Sequence, residues 1–122
     1  QSEDDIAHQI DVNLKGLIMM TQSVLPHSPE LIINISSGSG RRGYPQLTTY
    51  CATKFGVRGF TKALAAESTV KVICVNPPLT ATRMSDNKGI SATRVADVIL
   101  DTAQRADDIE SGSDVDISRE TA

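Results

Sequence analysis

Ile6, Ile10, Leu14, Leu17, Ile18, Val24 and Leu25 recur at three- and four-residue steps, the spacing of an amphipathic helix with one apolar stripe. Pro26 predicts its end, because proline has no amide to offer another turn. Residues 31–36 change pattern to a short, nearly continuous apolar run, bounded by a proline-containing turn and by Gly38 and Gly40. Such a run predicts a strand covered on both faces of a parallel sheet, with Ser37 delivered at its carboxyl end. Glycines, Pro45 and two arginines mark residues 38–46 as a loop, after which Thr48 or Thr49 offers a cap for a helix running to about Glu67. Residues 70–75 predict a second buried strand, stopped by Asn76, Pro77 and Pro78. Residues 79–89 are polar and irregular. Ser91 is an expected N-cap for a third helix with Val95, Val98, Ile99 and Thr102 facing inward, and residues 115–117 predict a last short strand.

The order is helix, strand, helix, strand, helix, strand. Alternation of this kind predicts an α/β fold, a parallel sheet with helices on its faces, in which right-handed crossovers bring the strand ends to one side. Ligands of such sheets bind beyond the carboxyl ends of the strands. Ser37, the Tyr50 to Lys54 turn and the loop over residues 77–84 all come out at that edge.

Composition narrows the class. With 122 residues, 39% apolar and 22% charged, the chain fits one domain around one core. A net charge of −3, with the acidic residues concentrated toward the end, opposes nucleic-acid binding, and Arg41 with Arg42 is expected to be a solvated loop pair. Two cysteines, Cys51 and Cys74, in a helix-like and a strand-like segment, favour a reduced, cytoplasmic setting over a disulfide or metal framework, and no metal site is expected. No apolar run is long enough for a bilayer, and residues 1–5 are acidic and polar where a secretory signal would be basic and then apolar, so no membrane partner is expected.

The candidate chemistry lies in four polar residues, Asn13, Ser37, Tyr50 and Lys54. A free tyrosine, with a pKa of about 10, carries protons poorly at neutral pH unless a positive charge favours its phenolate. Lys54 stands four residues on, one helical turn away on the same face. Ser37 can hydrogen-bond a substrate oxygen, which completes an acid/base site for an alcohol or carbonyl. Each residue alone has a plainer role: an exposed tyrosine near a helical lysine, a turn serine, a polar helix position. Gly38, Gly40 and Gly43 do not follow the Gly-x-Gly-x-x-Gly spacing and read as a turn. No side chain donates hydride, so a redox reaction here requires a nicotinamide cofactor, NAD or NADP.

Taken together, these segments resemble the short-chain dehydrogenase/reductase family, specifically its carboxyl-terminal, catalytic half. Asp11-Val12-Asn13-Leu14-Lys15-Gly16 resembles the helix segment with the active-site asparagine. Ile33-Asn34-Ile35-Ser36-Ser37 resembles the strand ending in the catalytic serine, and Tyr50-Cys51-Ala52-Thr53-Lys54 the Tyr-x-x-x-Lys motif, 13 residues beyond Ser37. The resemblance implies a partial Rossmann-like, doubly wound parallel sheet with the amino-terminal half and its glycine-rich turn absent, from a domain about twice this length. It implies that Tyr50 is the proton donor and acceptor, that Ser37 and Tyr50 hold the substrate oxygen, that Lys54 binds the nicotinamide ribose and favours the Tyr50 phenolate, and that Asn13 supports a water relay. It further implies that Ile35, Pro77, Pro78, Leu79, Thr80 and Thr82 line the cofactor, with Pro78 standing where the family usually has glycine. A small carbonyl or alcohol substrate, interconversion of a secondary alcohol and a ketone, and a homo-dimer or tetramer through residues 9–25 and 49–67 follow from the same resemblance. The specificity loop would be residues 84–91, which carry nothing diagnostic of a steroid, sugar or acyl thioester. A non-catalytic interaction module of the same fold and an extended-branch epimerase or dehydratase are the alternatives.

Overall fold

The computed structural model describes residues 1–78, 80–81 and 89–118. The first apolar stripe forms a helical rod in three parts: α1 (Glu3–Ile10), a π-helical turn over Asp11–Lys15, and α2 (Gly16–Val24). Ser2 starts it with a capping box, its hydroxyl accepting from the Asp5 amide at 3.1 Å while the Asp5 carboxylate accepts from the Ser2 amide. The 3₁₀ turn Leu25–His27 contains Pro26 and ends the rod, and Ser28 follows in the left-handed region at φ 51°.

The remaining elements are β1 (Leu31–Ile35), α3 (Thr48–Glu67), β2 (Lys71–Asn76), β3 (Thr80–Ala81), β4 (Ile90–Ser91), α4 (Ala92–Gln104) and β5 (Asp114–Asp116). The expected alternation is present, with strand ends displaced by one residue and with a two-residue parallel ladder between β3 and β4 that has too little sequence to leave a pattern. Ser91 caps α4 as expected, accepting from the Arg94 amide at 3.0 Å. At α3 the expectation is corrected: Thr48 is already helical and the cap position is Leu47, which offers no side-chain bond, while Thr49 Oγ1 donates to Gln1 Oε1 at 2.9 Å.

The main sheet is parallel, in the order β1-β2-β5. β2 is central, with Val72, Ile73, Cys74 and Val75 buried. β1 pairs with β2 from Leu31↔Lys71 to Ile35↔Val75 and, among the described residues, only along that edge. Its side chains are half-buried except Asn34, so it is less covered than its apolar run predicts.

Alternation along the strands sorts the two faces. Ile33, Ile35, Val75, Val115 and Ile117 pack with Val95, Val98 and Ile99 of α4 and with Ile90. Asn34, Cys74, Asn76, Asp114 and Asp116 fall on the other face, where Asn34 Nδ2 donates to Thr61 Oγ1 of α3 at 3.0 Å in a buried bond. The helical rod lies against α3 on that side. Gly56 of α3 makes room for Leu14, whose Cδ2 would stand 3.0 Å from a Cβ placed there. The layered arrangement is a Rossmann-like α/β fold built on a parallel main sheet of three described strands. Among the described residues no helix is long and apolar enough to cross a membrane.

Candidate active site

Ser37 is placed by the sheet. Beyond β1 the chain keeps pairing with β2, the Ser36 amide donating to the Val75 carbonyl at 2.9 Å and the Gly38 amide to the Pro77 carbonyl at 3.0 Å. Ser37 is extended (φ −170°, ψ 166°), and its hydroxyl accepts from the Ser39 amide at 3.0 Å, capping a 3₁₀ turn over Gly38–Gly40. That turn sits directly on α3. Ser36 Oγ donates to the Lys54 carbonyl at 2.8 Å, and a Cβ on Gly40 would stand 2.8 Å from the same carbonyl oxygen, inside contact distance. Only glycine fits there.

Tyr50 and Lys54 occupy successive turns of α3, and the ammonium lies 5.6 Å from the centre of the Tyr50 ring. Lys54 Nζ donates one long bond, 3.5 Å, to the Ile35 carbonyl at the end of β1. Burial lowers the Lys54 pKa, against the smaller opposing influence of Cys74. Asn13 stands in the π-helical turn, a local widening of the helix that is frequent at functional sites. Asn13, Ile35 and Lys54 line one groove of about 460 Å³, together with apolar residues of α2 and β1 such as Leu17, Val24 and Ile33. Ser37 and Tyr50 are not among its lining residues; Tyr50 adjoins Lys54 along the helix, and Ser37 opens the turn that rests on the Lys54 carbonyl. Asn13, Ser37, Tyr50 and Lys54 are all half-buried. Pro77 is buried and Pro78 half-buried. Leu79 and Thr82 lie outside the described residues, as does most of the loop over residues 84–91; Thr80 opens β3.

Sequence reading missed a polar circuit beside these groups. Arg58, one turn beyond Lys54, donates through Nε and Nη2 to Asp114 at 2.9 and 2.8 Å and through Nη1 to the Gly40 carbonyl at 2.9 Å. Asn76 Nδ2 donates to Asp114 and to Asp116, each at 2.9 Å. Lys62 adds a contact to Asp114 at 3.0 Å. The Arg58 guanidinium, aided by Asn76 and Lys62 and opposed by burial, holds the Asp114 carboxyl far below the usual carboxylate range. Arg41 is not merely solvated: it forks onto Asp116 at 3.1 and 2.7 Å, while Arg42 lies over the Tyr44 ring. The only trace in the sequence is an arginine four residues after Lys54; its acceptors are 18 and 56 residues away.

Both cysteines are free and buried, and burial pushes the Cys74 thiol up to about 11. Neither is a candidate nucleophile. Among the described residues no group of three or more histidine, cysteine or acidic side chains is placed to hold a metal ion.

Comparison with known proteins gives a consistent picture. A family model described as short chain dehydrogenase matches residues 1–92. A 3-ketodihydrosphingosine reductase of Bacteroides thetaiotaomicron is 37% identical over 97 residues, covering 74% of this chain and 36% of that protein. An acetoacetyl-CoA reductase of an Acinetobacter strain is 46% identical over 82 residues, covering 62% of this chain and 33% of its own length. The chain thus spans about a third of the curated relatives it matches. Among solved structures, a 3-ketoacyl-(acyl-carrier-protein) reductase from Brucella melitensis, complexed with NADH, superposes with a TM-score of 0.85 at 23% identity, covering 95% of this chain and 57% of that one.

Proposed function

Since the chain belongs to the short-chain dehydrogenase family, we propose that it supplies the acid/base half of an NAD(P)-dependent oxidoreductase that interconverts a secondary alcohol and a ketone. The carrying observation is Lys54: a half-buried ammonium, 5.6 Å from the Tyr50 ring, with one long hydrogen bond of its own. Its remaining N–H donors are available for hydroxyl acceptors, and the groove that it shares with Asn13 and Ile35 runs along β1 and the helical rod. These residues fit the ribose end of a nicotinamide nucleotide. The B. melitensis reductase of the same fold is described with NADH, which supports that assignment; NAD and NADP are equally compatible with it.

When bound, the nicotinamide supplies or accepts the hydride. The chain's own residues manage the proton. The Tyr50 phenol donates its proton to the carbonyl oxygen in reduction and takes it back from the alcohol in oxidation. Ser37, held at the mouth of the sheet by pairing with β2, hydrogen-bonds the same substrate oxygen and orients it toward Tyr50. Asn13, in the widened helical turn, holds a water that refills the proton. Ile35, Pro77, Pro78, Leu79, Thr80 and Thr82 are proposed to line the nucleotide, and a second copy of the chain to pack on the helices over residues 9–25 and 49–67, where Ile10, Met19, Met20 and Phe55 are exposed.

Fluorescence titration of the whole protein carrying this chain with NADH and NADPH tests the reading. Saturable binding that weakens at least tenfold in Lys54→Ala and persists in Tyr50→Phe is the expected result. Absence of binding of either nucleotide by a folded sample sinks it and favours a non-catalytic interaction module.

A further inference from the structure

Ser37 can do its work only if the turn that follows it is held at a fixed distance from α3. The turn's own bonds, Gly40 amide to Ser37 carbonyl at 2.8 Å and Ser39 amide to Ser37 Oγ at 3.0 Å, fix its shape but not its place. The Ser36 and Gly38 amides tie it to the sheet through the Val75 and Pro77 carbonyls, and its place against α3 comes from two side-chain links: Ser36 Oγ to the Lys54 carbonyl, and Arg58 Nη1 to the Gly40 carbonyl. Gly40 is buried, so its carbonyl would otherwise lack a partner. Arg58 shares a helix face with Lys54, one turn on. Its side chain is 15% exposed, and its other two nitrogens, Nε and Nη2, are locked on Asp114, whose side chain is 9% exposed.

Asp114 is in turn tied through Asn76 to Asp116, and Asp116 to Arg41, the residue that follows Gly40. The circuit therefore joins α3, the Ser37 turn and the ends of β2 and β5. Every catalytic group except Asn13 stands on a segment that this circuit touches. A planar fork aims separate nitrogens at a carbonyl and a carboxylate, whereas lysine would have to reach both from one nitrogen.

We propose that Arg58 is a positioning residue: anchored on Asp114, its guanidinium holds the Gly40 carbonyl and so sets the separation between Ser37 and the Tyr50–Lys54 turn. It touches neither substrate nor cofactor. The inference rests on the oxidoreductase reading only for what the positioned groups do; the placement itself is a property of the fold.

The test uses Arg58→Met and Arg58→Lys in the whole protein. Amide hydrogen exchange is expected to rise about tenfold or more over residues 37–43 in Arg58→Met while residues 72–75 of β2 keep their protection, with a smaller rise in Arg58→Lys, which folds with its charge retained. Unchanged exchange in the turn overturns the proposal, and so does a rise shared by β2, which would mean a general loss of stability. With a carbonyl substrate in hand, Arg58→Met is expected to lower kcat about tenfold in the native background but less than twofold on Ser37→Ala, because the effect passes through Ser37. Equal fold losses in both backgrounds overturn it. A native protein with neither nucleotide binding nor turnover removes the functional reading instead, and the exchange result still decides whether Arg58 holds the turn.

Discussion

Lys54, proposed to hold the nicotinamide ribose, sits where burial disfavours its charge. Its ammonium is lowered in pKa chiefly by burial, so the folded state binds that proton less readily than the unfolded chain does. For a lysine shifted in this direction, the charged form costs the fold stability below the folded pKa, and the cost fades as pH rises through it. Lys54→Met is accordingly expected to abolish nucleotide binding while leaving the thermal midpoint at pH 7 equal to or above that of the native protein, the pattern of a functional group that the fold tolerates. A midpoint several degrees lower would show that the bond to the Ile35 carbonyl and the contact with the Tyr50 ring outweigh desolvation. Tyr50→Phe is the complementary change: it keeps the ring near Lys54 but removes the phenolic proton, so kcat should fall by about 10²–10⁴ with nucleotide affinity retained. Stopped-flow turnover beside equilibrium titration separates the two. The Tyr-x-x-x-Lys pair was legible because both residues stand on one helix, where spacing in sequence is spacing in space. Arg58 was not, because a mid-helix arginine looks the same whether it meets water or a carboxylate 56 residues away.

Among elements, the junction that matters is the 3₁₀ turn Gly38–Gly40 pressed against α3. A methyl group on Gly40 would collide with Ser36 Oγ and with the backbone of Lys54, whose carbonyl carbon is 3.1 Å from the Cβ position; the Lys54 backbone cannot retreat without moving the helix. Gly40→Ala is expected to destabilise the protein by about 1–3 kcal/mol and to lower kcat, since the turn must lift away from α3. Gly43→Ala, with nothing within 4 Å of the added methyl, is the control and should leave both unchanged in urea unfolding and turnover. Equal effects of the two substitutions would show that the turn is not clamped. The glycines advertised a turn; which of them is a contact and which is open space depends on a helix that begins eight residues after Gly40.

For the whole molecule, Asp114 is the tie between β5 and α3, accepting from Arg58, Asn76 and Lys62. Its pKa is held down in the fold, so its contribution is complete above the ordinary carboxylate range and is lost as pH falls toward the depressed folded value. Asp114→Asn should therefore cost on the order of 3 kcal/mol at neutral pH, by leaving Arg58 without its counter-charge, and the gap to the native protein should narrow below about pH 4. Urea unfolding at pH 7 and pH 3 measures this; a gap that does not change with pH would mean that Asp114 acts by shape alone. By itself, the sequence determined what depends on neighbours along the chain: the helical stripe ending at Pro26, the two apolar runs stopped by glycine and proline, the Ser91 cap, the order of elements, and the family resemblance carried by the segments around Asn13, Ser37, Tyr50 and Lys54. Local periodicity and turn chemistry suffice for these, because helix and strand repeats are short. Tertiary structure alone decided the polar circuit of Arg58, Asp114, Asn76, Asp116 and Arg41, the contact of Gly40 with Lys54, and the central place of β2 with an edge of β1 left open among the described residues. Charge pairing, steric contact and strand order are properties of distance in space, and nothing in the spacing of residues along the chain encodes which distant groups the sheet will bring together.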